Sequence, residues 1–163
     1  MFIRTASERD LPAISKLIGE TWHATYDGIY GVETVDRITA SFHSVVALKK
    51  RFDWPRSEFL VADDGKAIAG MAFAAALGDQ SRIVDLHELD VHPAMQGRGI
   101  GGMLLQEIEE SFFESEILRL ELDSRNARAI GFFTVEGFSQ TGRRTVEGSL
   151  AATMLVFEKS LVA

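Results

Sequence analysis

The sequence predicts an α+β fold: one mixed, mostly antiparallel sheet of about seven strands, with about four helices packed against it. Three observations predict it. Short apolar segments bounded by turn signals dominate the middle and the end of the chain, while 3.6-residue periodicity marks the first third and two later stretches. Only residues 83–122 read as a strand–helix–strand crossover, so few strand pairs can be parallel. The chain has 163 residues, 46% of them hydrophobic, with no repeat or linker, which fits one domain over 1–163 with a full-sized core.

Residues 2–5 read as a short strand. Ser7 with Asp10 three residues later resembles a capping box, and Pro12 suits the first helical turn. Leu11, Ile14, Leu17, Ile18 and Trp22 then form one helical stripe, punctuated by Gly28 and Gly31. Val35, Ile38, Phe42 and Val45 predict a second helix ending near Trp54-Pro55. Asp64-Gly65 is a hairpin turn between strands at 58–63 and 66–77. The second of these is rich in alanine, so helix competes on propensity, but its place beside the turn favours strand. After a Gly78-Asp79 turn comes a strand at 83–91. A helix follows at 99–113 with Ile100, Leu104, Ile108 and Phe112 on one face, then a strand at 117–122. A short helix at 126–135 is closed by Gly137, and strands at 138–143 and 153–158 complete the chain.

Composition excludes several classes. With no cysteine, disulfides, thiolate metal sites and a cysteine nucleophile are all ruled out. The longest nearly unbroken apolar run, 67–77, is shorter than the ~18 residues of a membrane span. Acids stand near the start where a signal peptide is apolar, so a cytoplasmic location is expected. A net charge of −7 without a long basic run argues against nucleic acid and suits a cationic partner.

The most informative segment runs from Val91 to Gly102 and joins a strand to a helix. Glycines at 97, 99, 101 and 102 weaken a helix start by roughly 0.5–1 kcal/mol each, a cost that a tight turn alone does not explain. Unpaired N–H groups at the positive end of a helix dipole make an anion site, and glycines let phosphate oxygens approach. Gly97, Gly99 and Gly102 also satisfy G-x-G-x-x-G, with Asp123 near the place of a ribose-binding acid. A dinucleotide fold is disfavoured by the antiparallel meander before the loop, by the five residues between Val91 and Gly97, and by the short remainder of the chain.

Gln96-x-x-Gly99-x-Gly101 resembles the phosphate loop of the GCN5-related N-acetyltransferase (GNAT) family. Leu89-x-Val91-x-Pro93 is similar to the family's central strand and its exit, and Asn126 to Phe138 is similar to its second motif. The strand order is also the family's, and Trp22-x-x-x-Tyr26 with Gly28-Ile29 resembles members that acetylate small amines or polyamines. The resemblance implies a sheet splayed at its central parallel pair and acetyl-CoA as cosubstrate. It places the pyrophosphate on Gln96, Gly97, Arg98, Gly99, Ile100, Gly101 and Gly102, and the pantetheine arm beside Leu89 and Val91, with Asn126 and Phe133 across from them. It implies direct attack of an amine on the thioester in a ternary complex, without a covalent enzyme intermediate.

Proton removal from the amine needs a base. Asp85, His87, Glu88 and Asp90 are candidates; strand alternation would put Asp85 and His87 on one face and Glu88 and Asp90 on the other, but members of the family often carry a bulge in this strand, which leaves the faces open. Glu88 is the first choice and His87 the second. The histidines at 87 and 92 are five apart on a strand, so the zinc-protease pattern fails and no metal is expected. The family's motif places a tyrosine acid where this chain has Phe133, and its only tyrosines are Tyr26 and Tyr30. Either of those, or water, would then protonate the thiolate; a coenzyme A-binding sensor of low or no activity is the alternative. The resemblance implies an acceptor side built from Trp22, His23, Tyr26, Asp27, Tyr30, Glu33 and residues 143–148. Aromatic and acidic groups there suit an ammonium. The expected partner is a small-molecule or peptide amine, with no nucleic acid and no membrane; a homodimer is left open.

Overall fold

The structure, a computed structural model, describes residues 1–78 and 82–162. Asp79 of the Gly78-Asp79 turn lies outside the described residues. The strands are β1 (Phe2–Thr5), β2 (Ser57–Asp63), β3 (Ile68–Ala76), β4 (Ile83–Val91), β5 (Ile117–Asp123), β6 (Ser139–Val146) and β7 (Ala152–Ser160). The helices are α1 (Leu11–Tyr30), α2 (Val32–Phe42), α3 (Val45–Lys49), α4 (Ile100–Ser111) and α5 (Ala127–Val135). One sheet has the order β1-β2-β3-β4-β5-β7-β6 and is antiparallel except at β4–β5. Among the described residues no helix is long and apolar enough to cross a membrane.

Alanine-rich β3 is a strand because both of its faces are covered. Ala72 and Ala74 face the layer formed by Leu104, Leu105 and Ile108 of α4, while Met71 and Phe73 face the layer formed by Leu11, Ile14 and Ile18 of α1. Burial on both faces outweighs helix propensity. Gly70 lets α4 lie close: a Cβ there would stand 3.1 Å from Leu104 Cδ1 and 3.3 Å from Ile100 Cγ2. At the start of α1, the Ser7 N–H and hydroxyl both donate to Asp10 Oδ2 (2.8 and 3.0 Å), and Arg4 grips the same carboxylate in a fork (2.8 and 2.9 Å).

The expected second helix is divided in two. The Val35 and Ile38 side chains are buried, but α2 stops at Phe42, whose ring is exposed. Ser15 of α1 donates to the His43 carbonyl (2.7 Å), and Ser44 Oγ accepts the Ala47 N–H (3.2 Å), which caps the restart as α3. This break turns His43 inward.

The register of β4 with β5 positions the site. Only Ile83–Asp85 pair with Ile117–Arg119, after which the strands part. β4 carries a bulge on its other side: Leu86 stands opposite Ala74 and Glu88 opposite Phe73, leaving His87 extra.

Candidate active site

The loop after β4 is held from both ends. His92 Nε2 bonds Glu20 of α1 (2.6 Å), its Nδ1 accepts the Ala94 N–H (3.1 Å), and Gln96 Nε2 donates to the Val91 carbonyl (3.1 Å). Gly97 (φ 81°) and Gly99 (φ 80°) take left-handed conformations that other residues adopt only at a cost. The first backbone bond of α4 runs from Met103 N–H to Gly99 O (3.1 Å); no N–H from Gln96 to Gly102 finds a backbone acceptor among the described residues. A Cβ on Gly101 would meet the Phe132 ring at 3.1 Å, so α4 begins hard against α5.

Between these helices lies a cleft of about 480 Å³. Its lining includes Leu89, Val91, Gln96, Gly97, Gly99, Ile100, Gly101, Gly102, Asn126 and Phe133, which brings together all the expected coenzyme residues except Arg98. Arg98 is exposed and outside the lining. The Ile100 side chain belongs to the core, so its contribution to the loop is its N–H.

The cleft runs into the gap between β4 and β5, about 280 Å³ in volume. The His92 N–H bonds Ala69 O on β3 (2.8 Å). Strand alternation therefore aims the backbone groups of Leu89 and Val91 the other way, into the gap, where β5 no longer pairs with them. Asn126 closes the far side. Its Oδ1 accepts the Ala129 N–H (3.2 Å) as the α5 cap, and its Nδ2 donates to Tyr26 Oη on α1 (3.3 Å).

The bulge decides the facing of the β4 residues. The extra residue slips the alternation, so His87 and Glu88 emerge on the same side. His87 leans on Trp54 and Phe73 (ring centroids 5.0 and 5.6 Å), and this partial burial lowers its pKa. Glu88 Oε1 accepts from Arg51 Nη2 and lies 3.4 Å from His43 Nε2. Burial alone would raise the Glu88 pKa, but His43 and Arg51 outweigh it and hold the carboxyl below its usual range. Asp90 goes the other way: burial and the neighbouring Glu88 carboxylate raise it well above the ordinary range. Asp85 is removed from the cluster by an ion pair with Arg119 on β5 (3.0 Å).

Trp22, Tyr26 and Tyr30 stack along α1 with centroid spacings of 4.6 and 5.6 Å. With Ile38, Phe42, His43, Asp123, Leu150 and Met154 they line a cavity of about 260 Å³ beside the gap. His23, Asp27, Glu33 and residues 143–148 do not line it. His23 bridges Asp27 (2.6 Å) and Asp36 (2.8 Å) instead. β6 extends to Val146, so 143–146 are strand and Leu150 is the residue that reaches the cavity. Tyr30 donates its proton to Asp123 (2.6 Å), whose carboxylate also accepts from the Arg125 side chain (2.9 Å) and N–H (2.9 Å). Arg125 and Tyr30 hold Asp123 at about 2, and burial and Asp123 push Tyr30 up to about 12. The acid that the glycine spacing offered as a ribose ligand is thus fully occupied.

Sequence reasoning missed His43 and Arg51. Arg51 stands 37 residues from Glu88 and carries no local signal. The signal for His43 was the polar residue directly after the last apolar position of α2.

Comparison with known proteins agrees with this geometry. N-alpha-acetyltransferase RimI of Mycobacterium tuberculosis is 31% identical over 113 residues, covering 66% of this chain and 71% of that protein. Two solved structures share the fold. PaiA N-acetyltransferase from Thermoplasma acidophilum, in complex with coenzyme A, is 23% identical over 98% of each chain with a TM-score of 0.85. Salmonella typhimurium yncA, with its cofactor acetyl-CoA, is 21% identical over 100% of this chain and 95% of that one, with a TM-score of 0.71. Residues 22–138 match the model of the acetyltransferase (GNAT) family. That span holds the aromatic end of α1, the splayed strand pair, the glycine loop and the Asn126 motif, and it sets the dinucleotide reading aside: the chain belongs to the acetyltransferase (GNAT) family.

Proposed function

We propose that the chain moves an acetyl group from acetyl-CoA to a primary amine by direct attack within a ternary complex. One observation carries the reading. A run of unserved N–H groups from Gln96 to Gly102 opens onto a gap into which Leu89 and Val91 aim free backbone groups. The run suits a pyrophosphate at a helix N-terminus, and the strand edge suits the amides of a pantetheine arm. The thioester then lies where cleft and gap meet, and the aromatic cavity beside Tyr26 delivers the amine. Glu88, at the inner wall of the gap, takes the amine's proton directly or through water.

The acceptor is a small molecule, a polyamine or a peptide N-terminus. Three aromatic rings on α1 favour a group with an ammonium beside apolar surface. The similarity to RimI, named an N-alpha-acetyltransferase, supports the peptide N-terminus. The test is release of coenzyme A thiol from acetyl-CoA against a panel of amino acids, polyamines and short peptides. Turnover on at least one class is expected. Tight coenzyme A binding with no turnover on any would replace the enzyme with the sensor that Phe133 raises.

A further inference from the structure

Four buried polar atoms lack a partner among the described residues, and all belong to one cluster: His43 Nδ1, Arg51 Nη1, Glu88 Oε2 and Asp90 Oδ2. Two of them are carboxyl oxygens. The bulge at His87 restores a two-residue step between Glu88 and Asp90, so their side chains leave β4 on the same side. Each of the two carboxyl groups keeps one buried oxygen without a partner, and the Glu88 carboxylate adds to the burial that raises the Asp90 pKa. Two carboxylates cannot bond each other, but a carboxylic acid and a carboxylate can. One proton held between them satisfies both oxygens and removes the close like-charge repulsion.

The place of Asp90 matters as much as its partner. Among the described residues it is the one titratable side chain that lines both the coenzyme cleft and the gap. The acetyl-transfer reading puts the thioester at that junction, and any part for Asp90 in the chemistry rests on that reading. Of the other proton donors, Phe133 has none to give, the Tyr30 hydroxyl already donates to Asp123, and His87 and Tyr26, whose oxygen accepts from Asn126, line the gap but not the coenzyme cleft.

We propose that Glu88 and Asp90 share one proton and act as a relay that carries the amine's proton to the departing thiolate. The ammonium first loses a proton to water. The amine nitrogen then attacks the thioester carbonyl carbon. The C–N bond forms, and the C–S bond breaks with its electron pair left on sulfur. The proton shed by nitrogen passes to Glu88, the Asp90 carboxyl gives its proton to sulfur, and the pair ends with the single proton it began with. Amine and thioester become amide and thiol. Arg51 and His43 hold Glu88 as the charged member, while Tyr26 of α1, His87 of β4 and Glu121 and Asp123 of β5 line the rest of the gap around Asp90. Burial and the Glu88 carboxylate favour Asp90 as the neutral member.

The test compares wild type with Asp90→Asn, which keeps the shape and loses the titratable group. Infrared difference spectroscopy at neutral pH should show the carbonyl band of a protonated carboxylic acid in wild type, absent from Asp90→Asn. Turnover of Asp90→Asn on the best acceptor should fall about 100-fold or more, with the pH limb of turnover lost and coenzyme A affinity within about threefold of wild type. A wild type that turns over without that band, or an Asp90→Asn variant that keeps the band or more than half the turnover, overturns the relay alone. A wild type that acetylates no amine overturns the acetyl-transfer reading and the relay with it. The infrared band needs no turnover, so it separates the two failures.

Discussion

Replacing Phe133 by tyrosine restores the phenol that the family's motif carries at this place, and its outcome separates two accounts of proton delivery. The ring is buried but not enclosed. It packs edge-on against Phe132 (5.0 Å) and Phe138 (5.2 Å), and it lines both the 480 Å³ cleft and the 280 Å³ gap. An added hydroxyl aimed into the gap meets polar neighbours in Asn126, Tyr26 and Asp90. Its cost is then below about 1 kcal/mol, or about 2–4 °C in Tm for a chain of this size. Aimed at Phe138 instead, it would be buried without a partner and cost about 1–3 kcal/mol. Thermal melts should therefore show Phe133→Tyr within about 4 °C of wild type. If the Glu88–Asp90 pair already protonates the thiolate, turnover on the best acceptor should change by less than about threefold. A rise of tenfold or more would show that departure of the thiolate was limited by the missing phenol, and would refute the assignment of that step to the carboxyl pair. A larger loss of Tm would refute the placement of the ring edge at the gap.

Two predictions concern pH. Arg125 and Tyr30 hold Asp123 at about 2, below its unfolded value of about 3.9. Its stabilisation is therefore present above pH ~4 and lost as pH falls toward 2. The shift corresponds to about 2 kcal/mol, so from pH 5 to pH 2 wild type should lose about that much more than Asp123→Asn in denaturant titrations; equal losses would contradict the network. The His23 pKa is raised by its bonds to Asp27 and Asp36. The α1–α2 clip it makes is therefore full below about pH 6.5 and fades as pH rises through the raised value. His23→Gln should lower Tm more at pH 6 than at pH 9, and a deficit independent of pH would count against the clip.

How far the sequence discloses each feature depends on the range of the interactions that make it. The glycine loop was legible because its chemistry is local: N–H groups, left-handed glycines and a helix start are all encoded within residues 96–102. The parallel crossover was legible for the same reason. The splay between β4 and β5 was legible only through the resemblance, since nothing in either strand's pattern says that pairing stops after Asp85. The facing of the β4 residues could not be assigned from the strand's own pattern because a bulge depends on the partner strand: Phe73 and Ala74 set it from the neighbouring strand. The roles of Arg51 and His43 were missed for a related reason, since a helix break at Ser44 brings them to Glu88. Tyr26 and Tyr30 were equivalent in sequence; only the 93-residue reach to Asp123 shows that the Tyr30 hydroxyl is already engaged as a donor.

The central claim is that the Gln96–Gly102 loop binds the pyrophosphate of acetyl-CoA, and titration calorimetry of coenzyme A against wild type, Gly99→Asn and Gly99→Asp tests it most directly. A Cβ at Gly99 meets nothing within 4 Å, and asparagine and aspartate tolerate the left-handed backbone about equally, so the two variants differ in charge alone. A negative charge about 6 Å from a phosphate costs roughly 0.7–3 kcal/mol, depending on how well water screens it. Wild type should bind at roughly micromolar strength, and Gly99→Asp should bind about 3- to 100-fold more weakly than Gly99→Asn. Equal affinity in the two folded variants, or a wild type that does not bind coenzyme A, would contradict it.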